Sequence, residues 1–427
     1  MKYIYVLLYL FFLASLQEAV AQKNKKPQVL IYGSDILAYT AALQSAQSGV
    51  PTLWITDLDT LVPEFSTRAA QIDEPEGFDG GLWLSALMDM ALSKTRDDSL
   101  ARVVKLDMNP RLFLNAMERS LAKQADLQII RRQGLRELKY DGKGWAVQLD
   151  NKQKYNVRCI IDASVGQRLV ETAGIQLKDV SDLSTMWPLH DAPLEMLRTL
   201  LAAGLVAGKV YGLSLAQLLQ GEQNGFFSLT SVKPFLDSTP TDATRRAAVG
   251  QVLGATAAYL SFFKTVAPKI DVRKLQTELM TYGMRMMPYA DVKIDDPHFY
   301  ALQRFGLSAV FPLQGKDEQF LFRKEEKVSV QSIQPVFHRL YSRSQLWFAD
   351  YEGDFLTWKD FLSLVRFVGL RGEEVDRQVE KDWSTKLKFA GHFDPEAYVT
   401  RYQFAVVLDL YASPYVKAVN QDGIFIN

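Results

Sequence analysis

Residues 29–57, VLIYGSDILAYTAALQSAQSGVPTLWITD, constrain the fold more than any other stretch of the sequence. The apolar run at 28–32 predicts a buried strand, and 52–56 predicts a second one. Between them, the alanine-rich segment 37–48 predicts a helix that ends at Gly49. Small side chains recur along this helix at helical spacing, which lets it lie close to a sheet. The pattern indicates one unit of a parallel α/β sheet.

The turn that joins the first strand to the helix has the spacing of a dinucleotide-binding turn. In such turns glycines let the backbone approach a diphosphate at the helix N-terminus, and an acid after the second strand binds ribose. Gly33 holds the first glycine position and Ala38 the third, but Asp35 stands at the second. Asp35 is equally suited to cap the helix. The ribose-binding acid is expected near Thr56, one residue before Asp57.

Two segments further along the chain match a known family in the expected order. They are YNVRCIIDASVGQRLVETAGI at 155–175 and RAAVGQVLGATAAYLSFFK at 246–264. With 29–57 they resemble the FAD-dependent oxidoreductases of the glutathione-reductase-like type, specifically the secreted bacterial members. That family's I-D-A-T-G-D strand end is kept at Asp162 and Ala163, with Ser164 and Val165 in place of threonine and glycine. Its late G-Q-A-x-G-x-A-A-A helix is kept at Gly250, Gln251, Gly254 and Ala257.

The resemblance implies a fold, a cofactor and a set of binding residues. The fold would be α/β, a three-layer FAD/NAD(P)-binding Rossmann-like domain with a β-meander, over residues 27–270. FAD would lie along the Gly33 turn, and the late helix would stabilise the charge of the reduced flavin by its dipole. The reaction would be hydride transfer to FAD from an unidentified small organic or carbohydrate-like substrate. The implied cofactor-binding residues are Gly33, Ser34, Asp35, Leu37, Ala38, Asp57, Asp162, Ala163, Ser164, Gly166, Gly250, Gln251 and Gly254, and no catalytic residue is indicated.

The region between these motifs is shorter than in the family. Meander strands are expected at 134–140, 145–149 and 156–161, and helices around 194–203 and 213–220 in an otherwise irregular stretch, 176–240. The interval 175–213 is too short for the family's usual substrate domain. Two hypotheses therefore stay open. One is an FAD-dependent oxidoreductase-like enzyme; the other is a catalytically inactive FAD-fold scaffold that binds cell-envelope glycan or has a structural role.

The C-terminal region, 271–427, is expected to be mainly helical. MPYADVKIDDPHFYALQRFGLSAVF at 287–311 and AYVTRYQFAVVLDLY at 397–411 resemble S-layer-homology modules. In that family a closing Thr-Arg turn can bind cell-wall polysaccharide, which implies Thr400 and Arg401 as glycan-binding residues. The alternative is that these modules pack on the first domain.

The N-terminus and the composition limit the partners that the chain can have. Residues 1–21 have a lysine, an apolar run and an A-x-A end, which is typical of a cleaved signal peptide, so we expect export. That run is too short for an integral membrane span. Lysine plus arginine equals aspartate plus glutamate at 49 each, which disfavours nucleic-acid binding. The histidines lack metal-ligand spacing, and Cys159 is expected to be a buried, unreactive thiol.

Overall fold

The computed structural model describes residues 25–164, 166–176, 186–236, 242–311 and 320–426. The signal peptide expected at 1–21 and Val165 lie outside the described residues. Within the described ranges, no helix is both long enough and apolar enough to cross a membrane.

The strands of the described chain form three sheets. They are β1 (Val29–Tyr32), β2 (Thr52–Ile55), β3 (Leu127–Ile130), β4 (Leu135–Tyr140), β5 (Trp145–Leu149), β6 (Lys154–Val157), β7 (Cys159–Asp162), β8 (Leu200–Val206), β9 (Lys209–Ser214), β10 (Glu222–Gln223) and β11 (Phe226–Phe227). The main sheet has the order β10-β11-β7-β1-β2-β3, and all its strands are parallel except β10. The central strand is β1, which pairs Val29 with Thr52 on one side and Cys159 on the other.

The described helices lie before and after the strand-rich stretch 127–162, and they dominate the C-terminal region. They are α1 (Ile36–Gln47), α2 (Pro63–Ser66), α3 (Gly81–Met90), α4 (Asp98–Leu106), α5 (Pro110–Ala122), α6 (Arg168–Thr172), α7 (Leu194–Arg198), α8 (Leu215–Leu219), α9 (Ala243–Phe262), α10 (Val272–Thr281), α11 (Phe299–Leu307), α12 (Val330–Leu340), α13 (Ser344–Ala349), α14 (Trp358–Gly369), α15 (Glu374–Asp382) and α16 (Arg401–Tyr411). The helical C-terminal region predicted from the sequence is confirmed.

The main sheet is the middle of three layers, because alternate residues of its strands point to opposite faces. Val29 and Ile31 of β1 belong to the apolar core that includes α1 and α9. Leu30, between them, belongs to a second core, in which it meets Trp145 and Val147 of the β4-β5-β6 meander. The predicted three-layer FAD/NAD(P)-type Rossmann-like fold with a β-meander is therefore confirmed.

The single strand predicted at 156–161 is wrong, because it divides between two sheets. β6 ends in the meander at Val157, and β7 begins in the main sheet at Cys159. Arg158 lies at the crossing, where its guanidinium donates to the carbonyls of Leu260 and Thr265. Cys159 is buried as expected, and burial raises the pKa of its thiol to about 12.

The helices predicted around 194–203 and 213–220 are only partly correct. The chain forms the short helix α7 and then the antiparallel hairpin β8-β9, which turns at Ala207 and Gly208. Ser214 ends this hairpin and caps α8 through a capping box with Gln217. The stretch described as irregular therefore contains a regular hairpin that packs beside α9.

Three extended segments in the C-terminal region pair with one another in a closed triangle. The bridges join Lys327 to Thr400, Ser329 to Phe355, and Thr357 to Tyr398. Each segment leads directly into a helix, α12, α14 or α16, whose N-cap residue is Ser329, Thr357 or Thr400. The region is thus an internal three-part repeat of extended segment and helix. The S-layer assignment stays a prediction.

Candidate functional site

Gly33 forms the tight turn that the sequence predicts between β1 and α1. Its φ is +152°, and a Cβ placed on it would lie 2.6 Å from the carbonyl oxygen of Ala163. Trp54 fixes the turn from β2 by donating an indole N–H to the Gly33 carbonyl at 2.8 Å. Only glycine lets β1 and the chain after β7 approach this closely before α1 begins.

The N-terminus of α1 is occupied by two carboxylates of the protein itself. Asp35 is the N-cap residue and accepts from the Ala38 amide at 3.0 Å. Glu64, on α2, accepts from the Ile36 amide at 2.7 Å. Asp35 also forms an ion pair with Arg246 of α9. We call Asp35 and Glu64 the α1 carboxylate pair; it takes amide groups that a bound diphosphate would use.

The segment that contains α2 covers this helix end. Val62 donates its amide to the Ser34 carbonyl at 2.6 Å and is fully buried, and Phe65 is buried beside it. Burial and the neighbouring Asp35 charge raise the pKa of Glu64 to about 7. The Glu64 carboxyl is therefore about half protonated near neutral pH. Asp35 has the Arg246 guanidinium as its counter-ion.

A second ionic group lies at the N-terminus of α9, the helix that the family resemblance points at the flavin. Lys105 is fully buried, with its Nζ 2.8 Å from Asp79 and 3.3 Å from Glu74. Thr244, in the first turn of α9, donates its hydroxyl to Glu74. Trp83 donates its indole N–H to Asp79 at 3.0 Å. We call Glu74, Asp79, Lys105 and Thr244 the α9 ion cluster.

The glycines of α9 pack against α1. A Cβ on Gly250 would lie 2.2 Å from the Leu37 carbonyl oxygen, and one on Gly254 would lie 2.3 Å from that of Ala41. The Thr40 hydroxyl donates across the same contact to the Ala247 carbonyl at 2.8 Å. These residues therefore serve close helix packing in this structure.

Gln251 connects three helices rather than facing an open cleft. Its Oε1 accepts from the Leu82 amide at 3.0 Å, and its Nε2 donates to Gln44 at 2.9 Å. The side chain is buried, so both of its polar ends have partners within the protein.

The residues expected at the ribose and after β7 make local contacts. Asp57 pairs with Arg168 at 2.7 Å on the surface. Asp162 is buried and accepts from Ser164 and from the Leu169 amide, which orders the chain before α6. Burial raises the pKa of Asp162. Gly166 has a φ of +77°, a conformation that favours glycine.

The residues at the Gly33 turn do not fit an FAD diphosphate. The place that the diphosphate would take at the α1 N-terminus is occupied by the α1 carboxylate pair, and the segment that contains α2 covers it. Four cavities of the described chain, the largest of about 850 Å³, are lined by residues other than the cofactor-binding residues inferred from the sequence. The Gly33 turn, Ala163 and Gly250 are therefore brought together in space, and Asp35 and Glu64 occupy the α1 N-terminus beside them.

Thr400 and Arg401, the candidate glycan-binding residues, have structural contacts. Thr400 caps α16 through a capping box with Gln403. Arg401 is 7% exposed, and its guanidinium carbon lies 4.0 Å from the centre of the Phe311 ring. The cavity beside it measures about 20 Å³, less than the volume of a sugar ring.

Sequence reasoning missed the residues that close the α1 and α9 N-termini. Glu64, Glu74 and Asp79 lie in 64–81, a stretch whose sequence is typical of a loop, and no periodicity marks them. One usable signal is the isolated glutamate in the apolar context LVPEF at 61–65, since a lone acid among apolar residues is often a buried partner.

No protein-family model matches the sequence, and no curated protein is significantly similar to it. Solved structures with similarity include the bacillithiol disulfide reductase Bdr of Staphylococcus aureus, at 13% identity and a TM-score of 0.23. The match covers 33% of this chain and 39% of that one. OTEMO in an FAD-bound form has 15% identity and a TM-score of 0.22, over 33% of this chain and 26% of its own.

THI4 of Thermovibrio ammonificans is similar over a longer stretch. It has 12% identity and a TM-score of 0.35, over 60% of this chain and 96% of its own length. The sheet order, the meander and the helix layer described above are those of FAD/NAD(P)-type Rossmann-like domains.

Proposed function

We propose that this protein is a non-catalytic scaffold that retains an FAD-type fold without holding FAD, and that it is exported to act as a binding or structural protein of the cell envelope. The observation that supports the loss of FAD is the α1 carboxylate pair, since Asp35 and Glu64 take the amides at the end of the helix. Export rests on the predicted signal peptide, and the envelope role on the S-layer-like sequence segments.

Electrostatics makes the exclusion of a diphosphate stronger than steric overlap alone. Two like charges about 4 Å apart repel by about 4 kcal/mol at an effective dielectric constant of about 20. A diphosphate at the Gly33 turn would meet Asp35 and the ionised fraction of Glu64, and the Arg246 cation there is already paired with Asp35. Binding would therefore require the carboxylates to move or to be protonated.

The α9 ion cluster supports the same proposal at the N-terminus of α9, where the family resemblance would place the flavin ring. A helix N-terminus stabilises a nearby negative charge. At α9, Glu74 and Asp79 supply that charge from within the protein, and buried Lys105 pairs with both of them. The helix dipole is thus already satisfied, which leaves no electrostatic role for a reduced flavin at this position.

The experiment is thermal unfolding of the purified mature protein with and without FAD. A ligand that binds only the folded state adds about 2.7 kcal/mol to the free energy of unfolding at a hundredfold excess over Kd, so the unfolding temperature rises with ligand concentration. We expect no change for the wild type. A concentration-dependent rise would contradict the proposal.

A double variant tests whether the carboxylates of Asp35 and Glu64 are what prevents FAD from binding. Asp35→Gly with Glu64→Ala removes both carboxylates and leaves Arg246 able to pair with a diphosphate, so this variant is expected to gain FAD-dependent stabilisation. Asp59→Gly with Glu137→Ala removes the same charges from exposed positions and is the matched control. This control is expected to respond to FAD as the wild type does.

A further inference from the structure

A cavity of about 640 Å³ lies at the C-terminal half of α9, away from the Gly33 turn. Its walls come from α9, α10 and the chain after Pro414, and include Ala258, Thr277 and Tyr415. Ala243, at the start of α9, and Ala258 are fifteen residues apart, which corresponds to about 22 Å along the helix. The cavity is therefore a separate place in the fold from the α1 and α9 N-termini.

One side of this cavity is aromatic and open to solvent. Phe262 is 64% exposed and Phe263 is 52% exposed, and both line the cavity. Tyr259 stacks at a tilt on Phe263 with ring centres 4.6 Å apart, and Val416 is 76% exposed on the facing wall. Exposed apolar side chains that cluster around a concavity mark a binding surface more often than scattered ones do.

The opposite wall contains a buried arginine without a carboxylate partner. Arg273 is 7% exposed; its Nη1 donates to the carbonyls of Arg198 and Leu307 and to Gln276, and its Nε donates to the Lys417 carbonyl. Its guanidinium carbon lies 4.6 Å from the centre of the Tyr415 ring. Its Nη2 is buried without a hydrogen-bond partner, and the described residues place no carboxylate at ion-pair distance from it. Burial lowers the pKa of Arg273 to about 10, so the side chain is still charged at neutral pH.

The remaining charges of the lining are also mainly positive. Lys274 and Arg304 join Arg273, and Glu278 is the one acid among the lining residues. Arg304 is neutralised by a bidentate pair with Asp409, whereas the Lys274 ammonium is mostly exposed and 3.7 Å from Asp271. A buried cation without a counter-ion is costly, and an anion bound beside it would offset that cost.

We propose that this cavity binds an amphipathic organic anion, a molecule with an aliphatic or ring-containing body and one carboxylate head. The body would lie against Tyr259, Phe262 and Phe263, and the head would face Arg273 and Lys274. The volume lies within the range of about 300–1,000 Å³ that holds small organic ligands. The inference does not depend on the fate of FAD, because the cavity shares no residue with the Gly33 turn.

Isothermal titration calorimetry of the mature protein with dodecanoate, dodecanol and acetate tests the proposal. We expect dodecanoate to bind, dodecanol to bind at least about tenfold more weakly because it lacks the charge, and acetate not to bind. Equal affinity for dodecanoate and dodecanol would remove the role of the arginine. Absence of dodecanoate binding, or binding only to phosphatidylglycerol vesicles, would overturn the proposal.

Variants show whether dodecanoate binds in this cavity or on another apolar surface of the protein. Phe262→Ser with Phe263→Ser is expected to weaken dodecanoate binding at least about tenfold. Leu92→Ser, which replaces an apolar side chain that is 80% exposed and lines none of the four cavities, is the matched control and should bind as the wild type does. Unchanged binding by the double variant would place the ligand elsewhere.

The charged wall is tested by two substitutions at one position. Arg273→Gln is expected to lose at least about tenfold in affinity, and Arg273→Lys, which keeps the charge, to lose less. If Arg273→Gln does not fold, Lys274→Gln gives the same test at an exposed position, with an expected loss of about threefold. If the folded Arg273→Gln or Lys274→Gln variant bound dodecanoate as tightly as the wild type does, the proposed ionic contact of the carboxylate head would be refuted.

Discussion

Replacement of Glu64 by glutamine should change how stability depends on pH. The folded protein holds the proton of Glu64 with a pKa of about 7, against an ordinary value of 4.5, because the carboxyl is buried next to Asp35. Below pH 4.5 the group is protonated in both the folded and the unfolded states. As the pH rises from 4.5 to about 7, the unfolded state ionises first, so this group progressively lowers the free energy of unfolding.

The size of this effect follows from the two pKa values. A shift of about 2.5 units corresponds to about 3 kcal/mol, and about 2.5 kcal/mol of that loss falls between pH 5 and pH 8. Glu64→Gln removes the ionisation but keeps an oxygen that can accept from the Ile36 amide. The stability of the variant relative to the wild type should therefore rise by about 2.5 kcal/mol from pH 5 to pH 8.

Urea unfolding at pH 5, 6, 7 and 8 measures this difference directly. The Glu137→Gln variant, whose replaced side chain is exposed on β4, controls for the loss of one carboxylate from the surface. Parallel stability curves for wild type and Glu64→Gln would mean that the Glu64 carboxylate is solvated, and its place at the α1 N-terminus would then be refuted.

Two further substitutions test residues that were inferred to bind a ligand and that pack within the protein instead. Gly250→Ala should lower the free energy of unfolding by roughly 1–3 kcal/mol, because its Cβ would overlap the Leu37 carbonyl oxygen and separate α9 from α1; an unchanged denaturation midpoint would contradict this packing. Arg401→Ala should lower it by roughly 1–2 kcal/mol, because the guanidinium lies over the Phe311 ring. An Arg401→Ala protein of wild-type stability that no longer binds cell-envelope glycan would instead support the glycan-binding prediction.

The sequence predicted the scaffold well where local pattern and tertiary structure agree. The apolar strands on either side of α1 and the meander turns have periods and breakers that only one structure satisfies. Asp35 was recognised as either a disrupted glycine position or a helix cap, and the structure selects the cap. Gly250 and Gly254 are four residues apart, a spacing that predicts a narrow helix face, and their close contact with α1 confirms that packing.

The errors arise where two structures fit the same pattern. The residues 156–161 are a continuous β pattern, and only the position of Arg158 between two sheets divides it. The stretch LLAAGL at 200–205 contains good helix formers, yet pairing with β9 makes it a strand. Glu64 reaches the α1 N-terminus across 28 positions of the sequence, so the apolar context LVPEF indicates burial of the carboxylate but not the amide that it accepts from.

The flavin content of the protein purified under native conditions tests the central claim most directly. The α1 carboxylate pair predicts a colourless protein whose visible spectrum lacks flavin bands, before and after incubation with FAD and removal of unbound cofactor. A yellow protein with one flavin per chain would contradict the account, because FAD could be held only if the segment containing α2 and Glu64 left the Gly33 turn.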